Sequence, residues 1–224
     1  HADNTDLMVQ INGIVNEYIH VEKPDQEAVP SRQFDISKID FDLLSREFAH
    51  TRRKNLLLRD LDELVNQQLA KMLFVHPQRI DYYDRYQEII DAYNAEQNRA
   101  TIEKTFMDLM ELASSLDTEQ QRYVREGFSS DEELSVYDLL FSENLTKQEI
   151  ETIKKVSVDL LTKIKQQIAK LDHWTDKQET KAIVDNLIRN TLWQELPNSY
   201  DVSDIQTYQK KIYEYVYMRY PEVA

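Results

Sequence analysis

Apolar residues recur at three- and four-residue steps along most of this chain, a spacing that predicts amphipathic helices. Only two glycines and five prolines interrupt the pattern, too few for the turns of a strand-rich fold. The sequence therefore predicts an all-α fold, a multi-helix array of about eight to ten helices in two packed lobes. The expected parts are an N-terminal helix and proline-containing linker over 1–38, a helical lobe over 39–127 and a C-terminal lobe over 128–224.

A proline-marked break organises the first lobe. Pro77 lacks a backbone N–H and disfavours helical geometry at His76, so we expect the preceding helix to stop near Val75. Proline also suits the first turn of a helix, so a second helix should follow at once. The two helices are expected to form a hairpin with an apolar seam. The inner positions of the second helix are Ile80, Tyr83, Tyr86, Ile89, Ile90 and Tyr93.

Five capping boxes predict further helix starts. In such a box the side chain of Ser, Thr or Asp and that of a Glu or Gln three residues later each accept a backbone N–H of the first turn. Gly127 is the expected helix stop between the lobes. Helices are expected over 131–141, 147–170, 176–195 and 204–220. The boxes are Asp117 with Gln120, Ser130 with Glu133, Thr146 with Glu149, Thr175 with Gln178, and Ser203 with Gln206.

Charge and composition exclude several functions. The formal net charge is −14, which disfavours sequence-independent binding of nucleic acid. The basic run Arg52, Arg53 and Lys54 is the one candidate DNA contact. The chain has no cysteine, which excludes disulfides and thiolate chemistry. No apolar run approaches the roughly 20 residues that span a bilayer, and we expect a cytoplasmic protein. Because the chain begins at His1 without an initiator Met, we expect an expressed fragment.

Motifs for catalysis are missing from the sequence. Two isolated glycines cannot build a phosphate-binding loop, and no nucleophile elbow is present. Glu17 with His20, and Glu47 with His50, have the Glu-x-x-His spacing that places two metal ligands on one helix face. The first pair lies at a predicted helix end and the second beside the basic run. A di-metal helical bundle is therefore kept only as an alternative.

The aromatic residues are the candidates for contact with a partner. We expect Trp174 and Trp193 to anchor the core, whereas an exposed tryptophan here would indicate a partner surface. Tyrosines are abundant in the last predicted helix, and amphipathic rings are favoured at interfaces. The candidate partner surface is Tyr208, Tyr213, Tyr215 and Tyr217.

Arg79 and Asp81 flank one apolar residue just after Pro77. We interpret them as structural: Asp81 lies in a first helical turn, where the helix dipole favours a carboxylate. The alternative for Arg79 is simple exposure to solvent. The stronger interpretation is that the pair ties this helix start to a neighbouring element through charge-assisted hydrogen bonds.

The same segment resembles the C-terminal helical region of the restriction (R) subunits of type I restriction enzymes. The resemblance covers residues 39–220, and it departs from the family pattern at His76, where an asparagine is expected. The residues that carry it are Met72, Pro77, Arg79, Asp81, Tyr93, Asn94, Tyr137, Asp138, Trp174 and Pro197.

The resemblance implies an assembly function rather than catalysis by this fragment. The parent subunit would be a site-specific deoxyribonuclease with ATP-dependent translocase activity, and its ATP, Mg and most DNA contacts would belong to parts not present here. The helical region would dock that subunit onto the methyltransferase and specificity subunits. A stand-alone helical adaptor or regulator is the alternative, and direct contact with translocating DNA through the basic run is another.

Overall fold

A computed structural model describes residues 39–96 and 98–221 of the chain. These residues form nine α-helices and no strand, which confirms the predicted all-α class. The helix and linker expected over 1–38 lie outside the described residues. The helices are α1 (Phe41–His50), α2 (Lys54–Val75), α3 (Ile80–Ala95), α4 (Arg99–Gln120), α5 (Arg122–Arg125), α6 (Asp131–Leu140), α7 (Lys147–Ile168), α8 (Gln178–Glu195) and α9 (Val202–Arg219).

The described chain divides into two compact units, residues 39–122 and 123–221. The two lobes predicted from the sequence, which meet at Gly127, are a statement about folding domains and stay a prediction. Gly127 does end a helix, since it follows α5 with φ of +83° and the Phe128 N–H donates to the Tyr123 carbonyl at 2.9 Å. No helix of the described residues is long and apolar enough to cross a membrane.

The first unit is built around α4, which packs against both α2 and α3. Phe106 of α4 is fully buried and stacks on Phe48 of α1, with ring centroids 3.6 Å apart. The predicted break is confirmed, because α2 ends at Val75 and Pro77 opens a 3-10 turn before α3. The expected seam between α2 and α3 is a smaller contact than predicted, since the apolar sides of both helices turn mainly toward α4.

The second unit is built around α6 and α7, with α8 packed on α7 and α9 packed on both α8 and α6. The short helix α6 is central because it is apolar on several sides: Leu134, Val136 and Leu140 are all fully buried. Tyr200, in the connection between α8 and α9, donates its hydroxyl to the Leu140 carbonyl at 2.6 Å. This buried bond fixes the α8–α9 connection to the end of α6.

Two of the predicted capping residues do cap helices. The Glu133 N–H donates to the Ser130 hydroxyl at 3.3 Å, at the start of α6. At the start of α7 the box is reciprocal, because the Glu149 N–H donates to the Thr146 hydroxyl and the Thr146 N–H donates to the Glu149 carboxylate. Such caps satisfy backbone donors that the helix itself leaves unpaired.

The other three boxes were wrong for identifiable reasons. Asp117 lies inside α4, whose apolar side stays buried through that turn. Thr175 precedes the start of α8, which has no side-chain cap. The box at Ser203 is displaced by two residues, since Asp201 and Asp204 accept each other's backbone N–H at 2.8 and 3.1 Å. An aspartate is as good an N-cap as a serine, so the sequence allowed either.

The burial of Phe106 generates a stability prediction. Phe106→Ala should lower the free energy of unfolding by about 3–5 kcal/mol, because it removes a fully buried ring and leaves a cavity. The matched control is Met107→Ala at the next position, where the side chain is 55% exposed and the expected change is within about 0.5 kcal/mol. Urea unfolding followed by circular dichroism measures both, and equal effects would contradict the packing of α4 described above.

Candidate functional site

The side of α8 that faces solvent is set by its buried side. Val184, Ile188 and Leu192 are fully buried and turn the helix toward the second unit's core. Trp193 follows Val184 by about two and a half helical turns, which places it on the opposite side. Its side chain is 58% exposed. The prediction that Trp193 anchors the core was therefore wrong, and this exposure is the condition under which the sequence indicates a partner surface.

We define the outer face of α8 as Ala182, Asn186, Arg189, Asn190 and Trp193, all of which are exposed. None of these five residues is acidic, and the carboxylate nearest to them on this side of the helix is the exposed Glu179 in the first turn of α8. Arg189 donates to the Asn186 side-chain oxygen at 2.8 Å. An exposed tryptophan beside arginine is a composition typical of protein interfaces, whose cores are enriched in both residues and depleted in acidic side chains.

Trp174, the other tryptophan, is buried as predicted, with 1% of its surface exposed. Its indole N–H donates to the Tyr220 carbonyl at 2.6 Å, and its own carbonyl accepts from the Thr180 hydroxyl at 2.7 Å. Trp174 therefore contacts the end of α9 through its side chain and the start of α8 through its backbone carbonyl. This anchoring holds α8 in the rotation that leaves Trp193 outside.

The tyrosine row of α9 is not one surface. Tyr215 is 2% exposed, because it lies on the same side of α9 as Ile212 and Val216, and this corrects its assignment to the candidate partner surface. Burial in this apolar site raises the pKa of Tyr215 to about 12. A tyrosine so enclosed contributes to folding rather than to recognition.

The other three tyrosines separate into two places. Tyr208 packs on Tyr200, with ring centroids 5.4 Å apart. Tyr213 and Tyr217 pack edge-on against Trp174, at 6.2 and 5.7 Å. Tyr208 and Tyr213 are partly buried, and this burial raises the pKa of both. Tyr217 is 38% exposed. Of the four, Tyr217 has the largest share of its surface available to a partner.

Arg79 contacts a neighbouring helix, as the stronger of its two interpretations predicted. Its guanidinium lies 3.0 Å from the Glu119 carboxylate of α4, and Arg122 reaches the same oxygen at 3.1 Å. Asp81 is exposed in the first turn of α3, as the helix-dipole interpretation predicted. The Arg79–Glu119 pair thus ties the start of α3 to the end of α4, and Asp81 takes no part in it.

The basic run is reduced by an internal contact. Lys54 donates to the Glu103 carboxylate at 2.6 Å and lies over the Phe48 ring, while Arg52 and Arg53 are exposed. Arg52 and Arg53 are therefore the exposed residues that remain as candidate DNA contacts. Within the described ranges no three His, Asp or Glu side chains converge as a metal site would require, and Glu17 and His20 lie outside them.

The remaining residues of the family motif are dispersed over both units. Pro77 and Tyr137 are buried, and Met72, Tyr93, Asp138 and Pro197 are partly buried, whereas Asn94 is exposed. No single site in either unit collects them. Their assignment as motif residues stays a prediction.

These features define an all-α region of two units, with its candidate recognition chemistry on the outside of a helix. The profile of one protein family matches residues 2–220, nearly the whole chain, and that family is described as type I restriction enzyme HindI endonuclease subunit-like, C-terminal. The chain therefore belongs to the family of these C-terminal regions, which confirms the resemblance found in the sequence. No curated protein and no solved structure matches the chain significantly.

The opposite environments of the two tryptophans can be checked by fluorescence. In the native chain, acrylamide should quench a large accessible fraction of the emission, because Trp193 is exposed. Trp193→Phe should leave only the blue-shifted, weakly quenched emission of Trp174, since the chain has two tryptophans. Acrylamide is uncharged, so the chain's net charge does not bias the result. An unchanged accessible fraction in the variant would contradict the orientation of α8.

Proposed function

We propose that this chain is the assembly region of a type I restriction R subunit, and that the outer face of α8 docks the subunit onto its methyltransferase and specificity partners. The family match supports the parent enzyme. Under this proposal, other parts of the subunit carry out DNA cleavage and ATP-dependent translocation. Those parts also bind the ATP and Mg that these reactions need. The fragment itself acts by binding.

The observation that carries the proposal is the exposure of Trp193 beside Arg189 and the uncharged amides of Asn186 and Asn190. A tryptophan exposed to this extent keeps a large apolar area in water, and burial of that area against a partner is favourable. Truncation of a tryptophan that is a binding hot spot costs about 2 kcal/mol or more, a loss of affinity of roughly 30-fold. The indole would supply most of the affinity, and Arg189 with the neighbouring amides would supply orientation.

The charge of the chain supports the choice of partner. A net charge of −14 repels polyphosphate and attracts basic protein surfaces at long range. The acidic groups would therefore accelerate encounter with a partner that presents a basic protein surface. The outer face of α8 then makes the short-range contact, where few charges have to be desolvated.

Trp193→Ala tests the proposal directly. We expect the purified chain to bind the methyltransferase–specificity complex, and the variant to bind at least roughly 30-fold more weakly in calorimetry or pull-down. The matched control is Phe141→Ala, which removes an exposed aromatic side chain from the same unit and should change the affinity less than about threefold. Equal binding by both variants would place the docking surface elsewhere.

Deletion of α9 would be an ambiguous test of this surface. The helix contributes Ile212, Tyr215 and Val216 to the core, so its removal would unfold the second unit. Tyr217→Ala is the informative substitution on α9, because that ring is partly exposed. A loss of affinity there comparable to that of Trp193→Ala, with the emission of the buried Trp174 unchanged, would extend the docking surface to α9, and no loss would confine it to α8.

A further inference from the structure

The first unit contains a partly enclosed cavity of about 250 Å³ between α2, α3 and α4. Its volume is below the roughly 300–1,000 Å³ of sites for drug-sized ligands, so it suits a group the size of one side chain. Apolar atoms make up most of its wall, which includes Leu58, Ile90 and the ring of Tyr93. Polar groups are contributed by Asp62 and Asn94, among others.

The carboxylate of Asp62 is held in place from one side. The Tyr86 hydroxyl donates to Asp62 Oδ1 at 2.8 Å and itself accepts from the Asn66 amide at 2.6 Å. Both partners are buried, so this arrangement is rigid. Asp62 Oδ2 has no hydrogen-bond partner among the residues that the structure describes. A positioned carboxylate therefore lines the cavity with one oxygen available.

The electrostatics of this position favour a cation. Burial raises the pKa of Asp62, the hydrogen bond from Tyr86 opposes that shift, and the Glu63 charge adds to it. Desolvation and the Glu63 charge both disfavour the ionised carboxylate, whereas a cation bound beside Asp62 would favour it. Arg59 also lines the cavity, but its guanidinium is largely exposed and lies 3.7 Å from Asp60. It leaves Asp62 without a direct ionic partner in this part of the chain.

We propose that this cavity binds the side chain of an arginine presented by a protein partner. The apolar wall fits the methylene stem, the Tyr93 ring offers a face for stacking, and Asp62 Oδ2 accepts from the guanidinium. The two amides at the cavity, Asn55 and Asn94, can accept its remaining N–H groups. The inference is independent of the docking surface on α8, because the cavity belongs to the first unit.

Arginine fits this cavity better than lysine. A guanidinium is planar, weakly hydrated and able to stack on an aromatic ring while donating to a carboxylate. The lysine ammonium is a compact, strongly hydrated charge, so its transfer into a mostly apolar cavity costs more. Neutral apolar side chains would fill the volume but would leave Asp62 uncompensated.

The test uses the full 224-residue chain and arginine whose amino and carboxyl groups are both blocked as amides. Titration followed by NMR should give saturable shifts localised to the cavity, with a dissociation constant on the order of 1 mM. The blocked lysine and leucine analogues should bind at least tenfold more weakly. Equal shifts for all three compounds, or none for arginine, would overturn the proposal.

Two matched variants identify the carboxylate responsible. Asp62→Asn keeps an oxygen that can accept from Tyr86, so the fold should be preserved while arginine binding falls at least tenfold. Asp91→Asn removes the same charge from an exposed position of α3 that does not line the cavity, and binding should change less than twofold. Equal losses in the two variants would mean that only the general negative field is involved, against the proposal.

Agmatine, which carries the guanidinium without an amino-acid backbone, identifies the source of the ligand. Comparable binding of agmatine and blocked arginine supports a side chain from a protein partner, since the flanking peptide groups are then tolerated. Binding of agmatine alone would overturn that assignment in favour of a small metabolite. The chain can still bind the methyltransferase–specificity complex if any of these arginine experiments gives the negative result. The proposal for the cavity and the proposal for the outer face of α8 can therefore be refuted independently.

Discussion

The second unit depends on the burial of Trp174. Its ring is enclosed by Tyr213 and Tyr217, its indole N–H is bonded to the end of α9, and its carbonyl accepts from the first turn of α8. The indole of Trp174 thus fixes the end of α9, and the backbone carbonyl of the same residue fixes the start of α8. With the helix held there, the buried side of α8 determines that Trp193 lies outside. The candidate function of the chain follows from this internal constraint, because the same packing that stabilises the unit exposes its recognition residue.

The first unit has a different design. Here α4 supplies the common packing surface for α2 and α3, and the Arg79–Glu119 pair joins the start of α3 to the end of α4. The Glu119 oxygen is shared with Arg122, so two cations compensate one largely buried carboxylate. Substitution of Glu119 would remove the carboxylate that both guanidinium groups share. Its loss should therefore destabilise the cluster more than the loss of either arginine. A packed core and a compensated charge cluster thus act at different places in the unit.

Local signals in the sequence were sufficient for some helix boundaries. Pro77 ends α2 at Val75 because its ring and missing N–H act on adjacent residues, and Thr146 starts α7 through a contact confined to one turn. The displaced cap at Asp201 shows the limit of such signals. Where two residues can cap equally well, the choice depends on which start lets the apolar side of α9 reach the core.

Which side of a helix is buried was harder to predict than where the helices lie in the sequence. Trp193 and Tyr215 were both misplaced, because a large aromatic ring fits equally well in a core or at an interface. The position of Trp193 opposite Val184 was available from helical periodicity, and that signal outweighs residue type. The pairing of α2 and α3 with α4 was not available, because it depends on tertiary contacts between distant parts of the chain. The cavity at Asp62 arises in the same way and could only be found in three dimensions.

The central claim is that the outer face of α8 is covered when the chain binds its methyltransferase–specificity partner. Hydroxyl-radical footprinting of the free chain and the saturated complex measures this at single side chains. Oxidation of Trp193 should fall strongly in the complex, while oxidation of Phe141 should be unchanged. Equal oxidation of Trp193 in the free and bound states would contradict that claim.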